Sequence, residues 1–236
     1  MDLFTYLGRI KSKSRKVNIF PLEHRAIPGK EDRIVEAARR RFAHYGYDKV
    51  TMDEIAGDIG LGKGSLYYYF PTKEALFTTV VRQEQTEFKA RVEEIIADTS
   101  CSAEALRQYA DQRVEYFRNF HTLAKLTLES LALIKPAFGG LFKDFARWEK
   151  ETLRAILDSG NSSGEFAVGN PGRVAEALLH VIQGLRWRRL NLAGGAPIEE
   201  PAFEELRHET RFVVDLLVTG IHHSPGYTRK PERHHS

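Results

Sequence analysis

The stretch TMDEIAGDIGLGKGSLYYYF, Thr51 to Phe70, reads as two short helices joined by a tight glycine turn. Thr51 is an N-cap residue, and Glu54 three positions on completes a capping box. Met52, Ile55, Ala56 and Ile59 recur at i, i+3, i+4 and i+7, which gives the first helix one buried face. Gly60-Leu61-Gly62 cannot easily continue it, and a glycine there takes the left-handed conformation that turns the chain. In the second helix, Lys63 to Tyr69, the helical period sends Leu66 and Phe70 to one side. Gly64 and Tyr68 go to the other, flanked by Ser65, Tyr67 and Tyr69. The outer face therefore carries a lysine, a hydroxyl, phenols and a glycine. Hydroxyls reach phosphates and base edges, ring carbons meet thymine methyl groups, and Gly64 lets a backbone N–H come close to a phosphate. This is the pattern of a helix-turn-helix whose second helix enters a DNA major groove.

Two other readings compete. An aromatic run is as readily core as surface, but three consecutive helical residues cannot all face inward, so at least one ring is exposed or partnered. Gly57 to Lys63 also matches the phosphate-loop spacing G-x-x-x-x-G-K. Position eight is then Gly64 where a magnesium-binding Ser or Thr is needed, and the preceding segment has a helical rather than a strand pattern.

From Lys30 to Leu76 the chain resembles the DNA-binding domain of the TetR family of bacterial transcription regulators. An amphipathic helix leads to Phe42, Gly46, Tyr47 and Thr51, then Ile55-Ala56. After the turn come Gly64, Leu66, Tyr67, Tyr69-Phe70 and Lys73-Glu74-Ala75-Leu76. The combined pattern is specific and covers about the first third of the chain. Ile59, Leu61 and Gly62 depart from it, standing where the family usually has Ala, Val and Ser; Gly62 lacks a hydroxyl to cap the recognition helix.

Composition sets the outer limits. The 236 residues suffice for one or two domains, and 42% hydrophobic with 28% charged residues is ordinary for a soluble protein. A net charge of +3 makes nucleic-acid binding a matter of a local patch. The single cysteine, Cys101, excludes an intrachain disulfide and a cysteine-clustered zinc site, and suits a cytoplasmic location. No apolar run reaches the length of a membrane span, and the N-terminus lacks the apolar core of a signal peptide.

The reading divides the chain into a basic N-terminal extension at 1–29, a helix-turn-helix domain at 30–76, a helical ligand-binding and dimerisation domain at 77–221 and a disordered tail at 222–236. The extension, with Arg9, Lys11, Lys13, Arg15 and Lys16, is either a solvated leader or an arm that reaches DNA. Ile34, Ala38, Phe42 and Tyr45 recur along one face of the first helix, with Arg33, Arg39, Arg40 and Arg41 mostly off it. A long helix, about Thr72 to Asp98, follows Pro71, and a phosphate at its N-terminus would be favoured by the helix dipole and by Lys73.

No stretch of the body alternates as a strand does. Helices are expected near Ser102–Phe120, Thr122–Ile134, Ala137–Ser159, Pro171–Ala193 and Pro201–Ile221, with Pro136 as a break and 160–164 as a loop. The fold class is all-α: an N-terminal three-helix DNA-binding domain joined by a long helix to a helical body.

The expected DNA contacts are Thr51, Lys63, Gly64, Ser65, Tyr67, Tyr68, Tyr69 and Lys73. In the body, Tyr109, Arg113, Tyr116, Phe120, Phe142 and Trp148 are candidates to line a pocket for a small apolar or amphipathic ligand, although each reads more readily as core. Arg113 would suit an anionic group. The last two helices are apolar enough to bury against a second copy, and the resemblance implies that they form a four-helix dimer interface. The expected partners are double-stranded operator DNA, a small ligand and a second copy of the chain, with no membrane, no cofactor and no metal. The expected function is a sequence-specific DNA-binding transcription regulator, a repressor released by ligand. Its rivals are a non-specific DNA-binding protein and an enzyme using the aromatic body as its active site. Against the enzyme, the chain has no nucleophile elbow, no zinc-binding H-E-x-x-H and no complete phosphate loop.

Overall fold

The computed structural model describes residues 29–119, 128–193 and 198–222. Among them the regular structure is helical: α1 (Lys30–Tyr45), α2 (Met52–Asp58), α3 (Lys63–Tyr69), α4 (Lys73–Asp98), α5 (Ser102–Asn119), α6 (Leu128–Ser163), α7 (Pro171–Ala193) and α8 (Glu200–Ile221). One isolated antiparallel bridge joins Phe166 to His222. The basic segment Arg9 to Lys16, Phe120 and the tail from 223 on lie outside the described residues.

The N-terminal core forms where α1, α2 and α3 press their apolar faces together and α4 closes the base. Ile34, Ala38, Phe42, Ile55, Leu66, Leu76, Phe77 and Val81 are each fully or almost fully buried there. Tyr45 is not among them. It is 52% exposed, with the Arg41 guanidinium 5.7 Å from its ring centroid, and Tyr47 beyond the turn is buried in its place. The reason is local: Gly46, at φ 80°, redirects the chain just after Tyr45 and swings the next aromatic ring onto Phe42 and Phe77.

Helix α4 serves both halves. Its 26 residues span about 39 Å at ~1.5 Å each. Leu76, Phe77, Val80 and Val81 close the N-terminal core, while Phe88, Val92 and Ile96 enter the body core. In the body, Phe88, Leu106, Tyr109, Tyr116, Phe145, Leu153, Ile156, Leu157, Leu178, Ile182 and Val214 form one buried cluster. A second, smaller cluster joins Val114, Phe117, Phe203 and Leu206.

Two boundaries differ from expectation. Pro136 does not break the chain; α6 runs continuously from Leu128 to Ser163. A proline removes one backbone hydrogen bond and bends a helix, but it ends one only where neighbouring turns lack other support. Here Phe145, Leu153, Ile156 and Leu157 anchor the same helix in the body core. The segment 160–164 is likewise not a loop: α6 continues through Ser163, and Gly164, at φ 77°, takes the turn. Gly160 sits in the last turns because the Phe166 ring lies against its backbone; a Cβ there would fall 2.1 Å from that ring.

Candidate nucleic-acid interface and ligand niche

The turn between α2 and α3 is built as the glycines predict. Gly60 adopts φ 66°, Leu61 N donates to Ala56 O at 2.9 Å and Gly60 N donates to Gly57 O at 3.2 Å. This paired closure is a Schellman motif, which satisfies carbonyls at the end of α2 and turns the chain toward α3. Two arginines of α1 hold the unit from behind. Arg41 forms a two-pronged pair with Asp58 at 2.6 and 2.7 Å, and Arg33 Nη2 donates to Ile59 O at 3.1 Å. Arg39 pairs with Glu87 on α4 at 2.6 Å and approaches Glu84 at 3.6 Å. Arg33 and Arg40 are both exposed without an ion pair among the described residues, and of the two only Arg33 makes a side-chain hydrogen bond there.

Helix α3 buries Leu66 and Phe70 and exposes everything between them. Tyr67, Tyr68 and Tyr69 are 39%, 83% and 36% exposed, and Tyr68 and Tyr69 meet edge to face at 5.4 Å. The Ser65 hydroxyl and the three phenols make no hydrogen bond among the described residues, and Gly64 faces open space. All five are accessible to an external partner.

The other three expected contacts already have internal work. Thr51 donates its N–H and its hydroxyl to Glu54 Oε2, each at 2.8 Å, and accepts from Glu54 N at 3.3 Å. The Thr51 hydrogen bonds and the nearby Arg41 hold the Glu54 carboxyl below its ordinary range. Lys63 is exposed and pairs with Asp53 at 2.8 Å, with its ammonium 5.9 Å from the Tyr67 ring centroid. Lys73 donates to Tyr47 O at 2.9 Å and Val50 O at 3.0 Å, and its ammonium lies 4.4 Å from the Tyr47 ring centroid. Two of its three N–H donors thus tie α4 to the α1–α2 connection. Tyr47 completes the clamp by donating its hydroxyl to Glu74 at 3.0 Å. Burial first, then the Glu74 carboxylate, pushes that phenol far up.

In the body the expected ligand residues separate. Tyr109 is fully buried and donates to Glu149 Oε1 at 2.7 Å. Tyr116 lies in the core between Phe88 and Phe145, and Trp148 packs half-buried on the same rings. Phe142 is half-buried against the N-terminal core, together with Leu141. Of the candidates described, Arg113 borders a cavity. That cavity, about 10 Å³, lies between α5, α7 and α8 and is bordered by Arg113, Val114, Phe117, Ile182, Gln183, Arg186, Leu206 and Thr210. It has room for about one water-sized group.

Arg113 is buried and held by Glu149, whose two oxygens meet its Nε and Nη2. Its Nη1 is buried without a hydrogen bond, as are Arg186 Nε and Thr210 Oγ1. The Arg186 guanidinium lies over the Phe117 and Trp187 rings at 5.6 and 5.7 Å. Burial, and then the neighbouring Arg113 charge, lower its pKa to about 10. Arg186, Gln183 and Thr210 carried no signal in the sequence, because their convergence depends on how α7 and α8 cross α5.

The two C-terminal helices leave apolar groups outside. Val181 and Leu192 on α7 are 41% and 66% exposed; Phe212 and Leu216 on α8 are 63% and 57% exposed. Gly184, one turn from Val181, has open space where a Cβ would stand. Among the described residues, no group of His, Cys, Asp and Glu could hold a metal ion, and no helix is long and apolar enough to cross a membrane.

Comparison with known proteins places this architecture. Residues 34–80 match the model for bacterial regulatory proteins of the tetR family. A transcriptional regulator from Cytophaga hutchinsonii has 34% sequence identity and a TM-score of 0.73, over 83% of this chain and 100% of that one. The fatty acid metabolism regulator protein of Bacillus subtilis is 23% identical over 197 residues, 80% of this chain and 94% of its own. A regulator from Saccharomonospora viridis, solved in complex with choline, shares the fold at 19% identity with a TM-score of 0.68, over 82% of this chain and 98% of that one.

Proposed function

The chain belongs to the tetR family of bacterial regulatory proteins, and is a DNA-binding transcription regulator; from that premise we propose how it binds DNA and how it is released. The contact surface is Gly64, Ser65, Tyr67, Tyr68 and Tyr69 of α3, bordered by Thr51, Lys63 and Lys73. The observation that carries this reading is the exposure of three adjacent tyrosines whose phenols have no partner within the described residues. Aromatic surface of that extent marks an interaction site. Ser65 and the phenols reach phosphates or base edges, and the rings suit thymine methyl groups. Lys63 exchanges Asp53 for a phosphate, and Lys73 offers its third N–H.

The regulator acts as a homodimer through α7 and α8. Val181, Leu192, Phe212 and Leu216 supply the apolar centre, and the open backbone at Gly184 permits close approach. Two copies present two α3 helices to successive major grooves, about 34–36 Å apart on the operator. The function is a repressor that a small molecule releases, working in the cytoplasm. A structural neighbour that holds choline supports a small-molecule site in this fold, and the niche beside Arg113 is the place for it here.

Release follows from two ties between body and head. Arg39 of α1 is paired with Glu84 and Glu87 of α4. Phe142 of α6 lies against the N-terminal core, and Glu149, seven residues along the same helix, holds Arg113 at the niche. Displacing Arg113 therefore bears on a helix that touches the head about 10 Å away. The test is competition binding. The dimer should retain its operator against random duplex DNA, and substitutions at Ser65, Tyr67 and Tyr68 should change the preferred sequence. Equal binding to random DNA favours the non-specific reading instead.

A further inference from the structure

We propose that the niche between α5, α7 and α8 is a carboxylate site, in which Arg113, Arg186 and Thr210 together hold one carboxylate of the releasing ligand. The inference rests on ligand control as proposed above and specifies what the ligand must carry.

The first observation is the set of unused donors. Arg113 Nη1, Arg186 Nε and Thr210 Oγ1 are all buried, all unbonded, and belong to residues bordering one small cavity. A buried polar group without a partner destabilises the fold, and more so when it is charged. Three around one space point to a missing acceptor. Arg113 and Thr210 are themselves 6% and 1% exposed, so bulk water does not satisfy them.

The second observation is charge. Arg113 has Glu149, but Arg186 has no carboxylate partner among the described residues. The other nearby acids are taken. Asp111 pairs with Arg211, Glu115 with Arg118 and Arg207, and Glu209 with Arg188 and Arg189. Among the described residues the niche thus holds two guanidinium groups against one carboxylate. A second carboxylate balances it, whereas a water molecule would leave the charge in place.

The third observation is size and lining. A cavity of about 10 Å³ has room for one oxygen of an acid group while the helices stay together. Val114, Phe117, Ile182 and Leu206 supply an apolar wall for whatever the carboxylate is attached to. An organic body can enter only if α5 parts from α7 and α8. The incoming carboxylate also competes with Glu149 for Arg113, and so acts on α6.

The experiment uses the full-length dimer with acetate, octanoate and neutral octanol as probes at constant ionic strength. Melting temperature, calorimetric Kd and operator affinity are read in the wild type, Arg186→Gln and Thr210→Val. The site predicts that a carboxylate raises the melting temperature and octanol does not, with binding weakened about 10- to 100-fold in Arg186→Gln. Thr210→Val, nearly isosteric, should weaken it by a smaller factor and carries the test if Arg186→Gln fails to fold. Octanoate binding while acetate does not identifies the head of an amphipathic acid; the reverse identifies a free short acid. Equal binding of octanol and octanoate, carboxylate binding that ignores both substitutions, or no stabilisation by either acid overturns the carboxylate site. If the acids bind as predicted and operator affinity is unchanged, the carboxylate site stands and release by ligand falls.

Discussion

Lys73 and Tyr68, both expected to contact DNA, should fail in different ways. Lys73→Ala removes two charge-assisted hydrogen bonds to the carbonyls of Tyr47 and Val50, so it should cost ~1–3 kcal/mol of stability, read by chemical denaturation. Tyr68→Ala removes a ring that is 83% exposed. Its stability should stay within ~0.5 kcal/mol while operator affinity falls about 10-fold or more. The sequence leads one to expect both residues beside DNA, and the exposure of α3 was legible in it because Leu66 and Phe70 fix which side faces inward. The clamp was not legible, since the carbonyls that Lys73 meets are 23 and 26 residues away in the chain. Gly160 gives a third residue-scale test. Alanine would raise intrinsic helix propensity, yet its Cβ would meet the Phe166 ring; Gly160→Ala should therefore destabilise by ~1–3 kcal/mol despite the propensity gain.

Helix α5 is capped from a distance. Glu165 accepts from Ser102 N at 2.8 Å, Ala103 N at 2.9 Å and Cys101 Sγ at 3.1 Å. Burial works to raise its pKa, but these hydrogen bonds outweigh it and leave the value below the ordinary 4.5. A carboxyl depressed in the folded state stabilises above its unfolded pKa, and that contribution is lost as pH falls through the folded value. Glu165→Gln should accordingly lower the melting temperature at neutral pH and flatten its fall on the acid side of 4.5. Helix α6 shows where pattern reading stops. Pro136 looks like a terminator in isolation, and the packing of Phe145 to Leu157 that sustains the helix is contributed by other elements. The same helix brings Glu149 to Arg113 and Tyr109. The sequence marked Arg113 as a candidate to hold an anionic group but gave no sign of its partner. Removing that partner in Glu149→Ala would leave the buried Arg113 uncompensated and should cost ~3–5 kcal/mol, read by chemical denaturation.

At the scale of the whole molecule the proposed dimer turns one reading surface into two. The apolar character of the last two helices was evident from composition, but only their crossing separates core residues such as Leu178 and Val214 from exposed ones such as Val181 and Leu216. A charge at either exposed site, Val181→Glu or Leu216→Glu, should weaken the dimer at least ~100-fold by sedimentation without loss of helical signal. The central claim is that α3 reads sequence through its exposed tyrosines. Its most direct test is fluorescence anisotropy of the dimer on duplex DNA taken from upstream of its own gene, against a scrambled duplex at ~150 mM salt. The account predicts a preference of ~10³ or more, collapsing in a Tyr67→Ala, Tyr68→Ala double variant that remains folded and dimeric. Equal affinity for the two duplexes, or an undiminished preference in that variant, would contradict it.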